Sequence, residues 1–261
     1  MKAIKNFKFQ LKGVTLLFVF LLSNYLSFSQ NTDNKKIISQ FGGSITATKN
    51  GISVIPSFSL GKPALIFELS MGGEKLSFDP QFRFAMEGKP WSFVFWWRYK
   101  IIENQKFQLR TGAHPAFLFS TPTYYEDGNP VAVLKASRFA AAEVAPSFQI
   151  TKNISLKPYY LFGHGFDPGI RNSHYLALTS SFSNMGITEH LHGGISPQLF
   201  YLKMDNDQGY YFASNFSLSH DQFPVSLTAM INKKLKSEIA SKDFLWNLSL
   251  VYTFSNKYNK L

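Results

Sequence analysis

From Ile37 to Phe254 the apolar and polar residues alternate with a period of two. The segment before the C-terminus shows it plainly. Phe244, Trp246, Leu248, Leu250, Tyr252 and Phe254 fall on one face, and Leu245, Asn247, Ser249, Val251 and Thr253 on the other. Successive side chains of a strand point to opposite faces, so this spacing predicts β-structure. The same alternation sets Leu76, Phe78, Pro80, Phe82 and Phe84 against Ser77, Asp79, Gln81 and Arg83. It also sets Trp91, Phe93, Phe95, Trp97 and Tyr99 against Ser92, Arg98 and Lys100. Twelve strands are predicted, at 52–60, 64–71, 76–86, 91–102, 107–119, 133–150, 154–163, 174–183, 188–204, 210–219, 225–234 and 244–254. A further strand-like piece, 37–48, precedes them and breaks the even count.

One apolar face per strand suits a soluble sandwich, a lipocalin-like barrel or a membrane barrel. Composition tilts the balance. Aromatic residues make up 16% of the chain, with 27 Phe, and charged residues only 16%, against roughly 25% charged in typical soluble proteins. The N-terminus has the plan of a secretory signal. Lys2, Lys5, Lys8 and Lys12 precede an apolar core at 14–22, too short to span a bilayer as a helix, and Ser27 and Ser29 stand at the small-residue positions before Gln30. Connection lengths agree with a membrane barrel, whose periplasmic turns are short and whose outer loops are longer. With the last strand ending in the periplasm, the short connections at 72–75, 103–106, 151–153, 184–187 and 220–224 fall on that side. The long ones at 120–132, 164–173 and 235–243 fall outside.

The expected fold is therefore all-β: an antiparallel transmembrane β-barrel of about twelve strands behind a cleavable signal peptide. The expected segments are a signal at 1–29, an N-terminal segment with one extra strand at 30–49, the barrel at 50–254 and a tail at 255–261. The alternating last strand with Phe254 near its end resembles the C-terminal strand of outer-membrane barrels, although residues 255–261 follow it. Over the whole chain after the signal, the pattern resembles the outer-membrane β-barrel proteins of Gram-negative bacteria that have no assigned activity. The resemblance is one of architecture and supplies no functional residues. It implies outer-membrane lipid and lipopolysaccharide as surroundings and the barrel-assembly machinery during insertion. It leaves the oligomeric state open.

Charge and chemistry change the picture little. Removing the signal takes the formal charge from +11 to +7, yet no basic cluster of the nucleic-acid kind is present. The absence of Cys removes disulfides, thiolate metal sites and Cys nucleophiles. Gly42-Gly43 and Gly72-Gly73 lack the Lys and helix of a phosphate loop. No catalytic, cofactor-binding or metal-ligating set emerges, and no cofactor is expected. His190-Leu191-His192 puts two imidazoles on one face without an evident third ligand. Outer-membrane lipid hydrolases resemble one another in a lipid-facing His-x-Ser pair, in which the His serves as base for the Ser. No such pair occurs in this chain.

The inward parity collects the charges. Glu68, Asp79, Arg83, Arg98 and Arg110 form the expected luminal network, and His114, Glu143, His190 and His192 are further luminal binding candidates. Glu87, Lys100, Lys135 and Lys157 share that parity. Centring each hairpin turn predicts a row of facing residues, Glu68–Asp79–Arg98–Arg110. Six prolines, Pro56, Pro80, Pro115, Pro146, Pro158 and Pro197, have outward parity and read as bulges that tune curvature. Arg138 is also outward, placed at the outer-leaflet headgroups. Three functions stay open: a channel, binding or structural barrel for a small polar solute; a lipid-modifying enzyme with lateral access; and a soluble periplasmic β-protein that binds an apolar ligand.

Overall fold

A computed structural model describes residues 38–53 and 55–259, so the expected signal peptide lies outside the described residues. The strands in chain order are β1 (Ile38–Thr48), β2 (Ala64–Gly72), β3 (Leu76–Ala85), β4 (Pro90–Glu103), β5 (Phe107–Ser120), β6 (Thr123–Glu126), β7 (Asn129–Ala132), β8 (Lys135–Gln149), β9 (Ile154–Gly165), β10 (Asn172–Gly186), β11 (Leu191–Met204), β12 (Asp207–His220), β13 (Val225–Ser237) and β14 (Phe244–Asn259). All but β6 and β7 form one closed antiparallel barrel in which chain neighbours pair and β14 returns to β1. The small hairpin β6–β7 stands on the connection between β5 and β8. Barrel strands run from nine to sixteen residues, enough for the roughly 9–11 that a tilted strand needs to cross a bilayer.

The outward face is the apolar one. Trp97, Leu176, Leu199, Leu248 and Leu250 are all about half exposed on it. Aromatic pairs cross the strands there: Phe78 with Trp97 at 4.6 Å, Phe82 with Phe93 at 5.4 Å and Phe93 with Phe119 at 4.9 Å between ring centroids. Such cross-strand pairs each contribute roughly 0.2–1 kcal/mol. An apolar exterior of this extent is stable against hydrocarbon and not against water. The turns at 73–75, 104–106, 150–153, 187–190 and 221–224 share one end with both ends of the described chain, and the other end carries the loops 49–63, 121–134, 166–171 and 238–243 beside the short turns 86–89 and 205–206. By the loop-length rule the end that holds both chain ends is periplasmic.

Three expectations are corrected. Segment 37–48 is no spare piece: β1 pairs with both β14 and β2 and closes the barrel. Segment 52–60 is no strand. It belongs to an outer loop, 49–63, that folds into the lumen around a 3-10 turn at Pro56–Phe58. Gly51 and Gly61 bracket it at positive φ, 52° and 75°, a conformation that ends a strand on either side, and Pro56 suits the first position of the turn. Two consecutive residues there, Ile55 and Pro56, are buried inside the barrel, so burial does not follow the period-two alternation of a strand. Finally, β14 runs on to Asn259, because Ser255 to Asn259 pair with Gly42 to Ile38.

Bulges account for the parity errors. A register shift between Arg83 and Phe84 turns Trp91 inward, where it is buried and donates Nε1–H to the Phe58 carbonyl at 3.0 Å. Glu87 sits in the turn between β3 and β4 and pairs with Lys62, so it is not luminal. Arg138 is 62% exposed near the outer end of β8 and makes a two-toothed contact with Asp167 in the 166–171 loop, with Nη2 to Oδ1 at 2.8 Å and Nε to Oδ2 at 3.1 Å.

Two outcomes follow from this architecture. With every strand paired on both edges, the barrel should resist detergent: unboiled protein should migrate apart from boiled protein on a gel, and identical migration would refute closure. The Arg138–Asp167 clamp should also be acid-resistant. Hydrogen bonds from the Arg138 side chain, then from its backbone N–H, hold the Asp167 carboxyl down at about 2. A depressed carboxyl stabilises the folded state above its ordinary value of about 3.9. The contribution is therefore full at neutral pH and is lost as the pH falls from about 4 toward about 2. Hydrogen exchange of the 166–171 amides should accelerate over that window, and in Asp167→Asn it should be fast at every pH.

Candidate functional site

The lumen is divided by side-chain size. Toward the outer end, inward positions of β10, β11 and β12 are bulky: Tyr175, Phe200, Leu202, Met204 and Tyr211 are buried with Ile55 of the in-folded loop and Ile239 of the 238–243 loop. Phe200 stacks on Tyr211 at 4.8 Å and meets Tyr175 at 5.1 Å. The lumen would otherwise hold water, so burying Leu202 alone contributes about 1.5–3 kcal/mol. Six inward positions of β5, β8 and β9 are small instead: Gly112, Ala116, Ala141, Ala145, Ser147 and Gly163. Where they face the centre, a cavity of about 790 Å³ remains. It runs from Ile55 and Phe58 beneath the loop to Glu103, Gln108 and Ser147 at the periplasmic ends of their strands. Side chains and loop residues thus fill the lumen toward the outer end, and the cavity extends to the periplasmic ends of its strands.

The charge network forms one wall. Arg98 on β4, Gly112 on β5 and Glu143 on β8 lie in register across three strands. A Cβ at Gly112 would stand 2.9 Å from Arg98 Cγ and 3.3 Å from Glu143 Oε1, so only glycine lets the two side chains meet across the middle strand. Arg98 Nε donates to Glu143 Oε1 at 2.9 Å and Nη1 to Asp79 Oδ2 at 3.1 Å. Its guanidinium lies 4.3 Å from the Trp96 ring centroid. Arg110 Nε reaches the same Oε1 at 3.3 Å, and the Tyr159 hydroxyl donates to Oε2 at 2.7 Å. Glu143 is 1% exposed. A carboxylate so deeply buried persists because two guanidiniums and a hydroxyl satisfy it. Asp79 also accepts from Ser70 at 2.6 Å and Ser77 at 3.1 Å.

The structure brings Asp79, Arg98, Arg110 and Glu143 together, but not by the facing register expected. Asp79 faces Trp96, Lys100 faces Arg110 and Glu68 faces Gln81. Each hairpin is offset by two residues from a centred turn, which keeps inward parity while turning facing pairs into diagonal ones. Glu68 stays apart and accepts from the Ser44 hydroxyl at 3.3 Å. Arg83 also stays apart: its Nη2 donates to Gln81 Oε1 at 2.9 Å, its guanidinium lies 5.3 Å from the Trp91 centroid, and Nε is buried without a partner. His114 packs edge-on against Trp96 at 4.1 Å with Nδ1 buried and unpartnered. His192 sits at the periplasmic rim and pairs with Asp221 at 3.0 Å. His190 is not luminal at all. It lies in the 187–190 turn beside His220, because β11 starts only at Leu191. Among the described residues no three His, Asp or Glu side chains could hold a metal ion. Parity alone had not singled out Glu143 as the hub or involved Tyr159. A glycine flanked by strands carrying inward Arg and Glu was the available signal.

No family model matches this chain, and no curated protein does. Solved structures do. An outer membrane channel from Pseudomonas putida F1 aligns with 87% of this chain and 98% of its own, at 10% identity and a TM-score of 0.51. LpxR from Salmonella typhimurium aligns with 82% of this chain and 99% of its own, at 10% identity and a TM-score of 0.49. The KdgM porin aligns with 82% and 99%, at 11% identity and a TM-score of 0.48. At such identities the likeness is one of fold. The chain has the fold of the outer-membrane β-barrels of Gram-negative bacteria, a closed antiparallel barrel of twelve strands.

Glu143→Gln should destabilise the barrel by about 3 kcal/mol, since it strands two inward guanidiniums. Gly112→Val should act in the same direction by forcing Arg98 off Glu143. Arg98→Met combined with Glu143→Met should cost less than its two single changes added together. Urea unfolding in lipid vesicles reads all five variants, and additive costs would show that the pair does not act as a unit.

Proposed function

We propose that this barrel admits a small polar solute from the periplasmic side and that loop 49–63 controls its passage outward. The observation that supports this is the cavity of about 790 Å³ beneath an in-folded loop. Its volume lies within the roughly 300–1,000 Å³ of small-ligand sites. A barrel serving only as an envelope strut has no need of an unfilled lumen, since twelve strands' worth of side chains can pack one. The loop is the movable part: Trp91 Nε1 to the Phe58 carbonyl and contacts of Ile55 and Phe58 hold it in, its ends are tied by the Lys49 N–H to the Leu248 carbonyl and the Met86 N–H to the Pro63 carbonyl, and between those ends no described residue joins a strand ladder.

Planar-bilayer recording tests the proposal. The intact protein should conduct weakly, and replacing residues 52–60 with a short Gly-Ser linker should raise conductance several-fold. Equal conductance before and after the replacement would overturn the role given to the loop. Absence of conductance in both would overturn passage.

A further inference from the structure

We propose that the lumen takes an organic anion with an apolar body, and that Arg83 holds its acidic head. The inference rests on the lumen being a solute site and names the class of solute. The luminal carboxylates are already committed: Asp79 to Arg98, Ser70 and Ser77, Glu143 to Arg98, Arg110 and Tyr159, and Glu68 to Ser44. Among the described residues no carboxylate comes within ion-pair distance of Arg83. Among the described residues its side chain hydrogen-bonds a neutral amide, Gln81, and Glu68 acts on it only through space. A guanidinium presents five N–H donors in a planar fork, so most of its donating capacity is unspent at a position that lines the cavity. A fork of that shape is matched by a carboxylate or a phosphate oxygen pair.

The surroundings of Arg83 choose the rest of the ligand. Trp91 lies against the guanidinium, and Ile55, Phe58, Leu118 and Phe139 line the same end of the cavity. Free phosphate would leave that apolar surface unfilled. An aromatic or branched aliphatic acid would cover it, with His114 offering a second polar contact farther down. The route suits an anion as well. Toward the periplasmic mouth Lys100 is paired with Glu103 and Arg110 with Glu143, which leaves Lys157, a further lining cation, to favour an entering anion.

Calorimetric titration of the full-length refolded barrel in micelles tests this with 2-naphthoate, its uncharged analogue 2-naphthamide, and inorganic phosphate. Folding is checked by the gel shift for every variant. Naphthoate should bind the wild type, about tenfold more weakly to Arg83→Gln, with intermediate affinity to Arg83→Lys, which keeps the charge but not the fork, and normally to Lys203→Gln, which changes an exposed lysine outside the cavity. Naphthamide should bind more weakly than naphthoate and equally to wild type and Arg83→Gln. Equal naphthoate binding by wild type and Arg83→Gln overturns the role of Arg83. Phosphate binding as tight as naphthoate overturns the apolar body. Binding of naphthamide without naphthoate overturns the anion while leaving the solute site intact. Failure of every probe, together with unchanged conductance on replacing the loop, overturns the solute site itself. If Arg83→Gln does not fold, quenching of Trp91 and Trp96 fluorescence by naphthoate in the wild type decides instead, with lack of quenching counting against the proposal.

Discussion

Everything in this molecule hangs on backbone hydrogen bonds that cannot be left to lipid. A strand edge exposed to hydrocarbon leaves N–H and C=O groups unsatisfied at several kcal/mol each, so a membrane sheet must close on itself. Here closure falls to β1 and β14, paired from Ile38 with Asn259 to Thr48 with Ser249. The demand is global. It recruits a segment whose own pattern is weak, with Gly42 and Gly43 in its middle, because two complete edges would otherwise face lipid. It also explains why β14 extends past Phe254 for as long as β1 offers a partner.

Closure in turn defines an inside whose contents follow a different rule from the outside. Outward positions need only be apolar, and inward positions must either fill space or be wet. The two solutions occur side by side. Tyr175, Phe200, Leu202 and Tyr211 fill the outer part of one wall, while Gly112, Ala141, Ala145 and Gly163 leave the adjoining wall thin. The in-folded loop depends on this asymmetry. Ile55 and Phe58 lie against the bulky wall from within, and the space beneath them is the cavity. Charged residues in that space are tolerable only when satisfied, which is what Glu143 does for Arg98 and Arg110 across the gap left by Gly112. Arg83 stands out because it lacks such a carboxylate.

Much of this was legible beforehand. Alternation is a local property: each strand's inward and outward sets can be read without knowing its neighbours, because the pleat has period two whatever it pairs with. The apolar exterior, the periplasmic short turns and the inward parity of Asp79, Arg98, Arg110, His114 and Glu143 all follow from that one periodicity. The count of twelve barrel strands agreed because two misassignments cancelled, 37–48 being a barrel strand and 52–60 not. Parity failed only where a bulge or a turn intervened. Trp91 turned inward past the irregularity at Arg83, and His190 fell beyond the end of its strand.

What tertiary structure decided were the relations between strands. Register depends on turn asymmetry and bulges, and a two-residue offset is invisible to parity because it returns every side chain to the same face. The offset decides whether Asp79 meets Arg98 squarely or diagonally, and it lets Glu143 displace Glu68 as the partner of the arginines. The fate of residues 49–63 was likewise undecidable from their alternation. An apolar face is equally satisfied by lipid outside or by a void inside, and the void exists only once distant small residues on β5, β8 and β9 have been brought around the barrel to face them. The sequence by itself determined which side chains point inward. Only closure of the barrel decided which of them meet, and where space is left for something else.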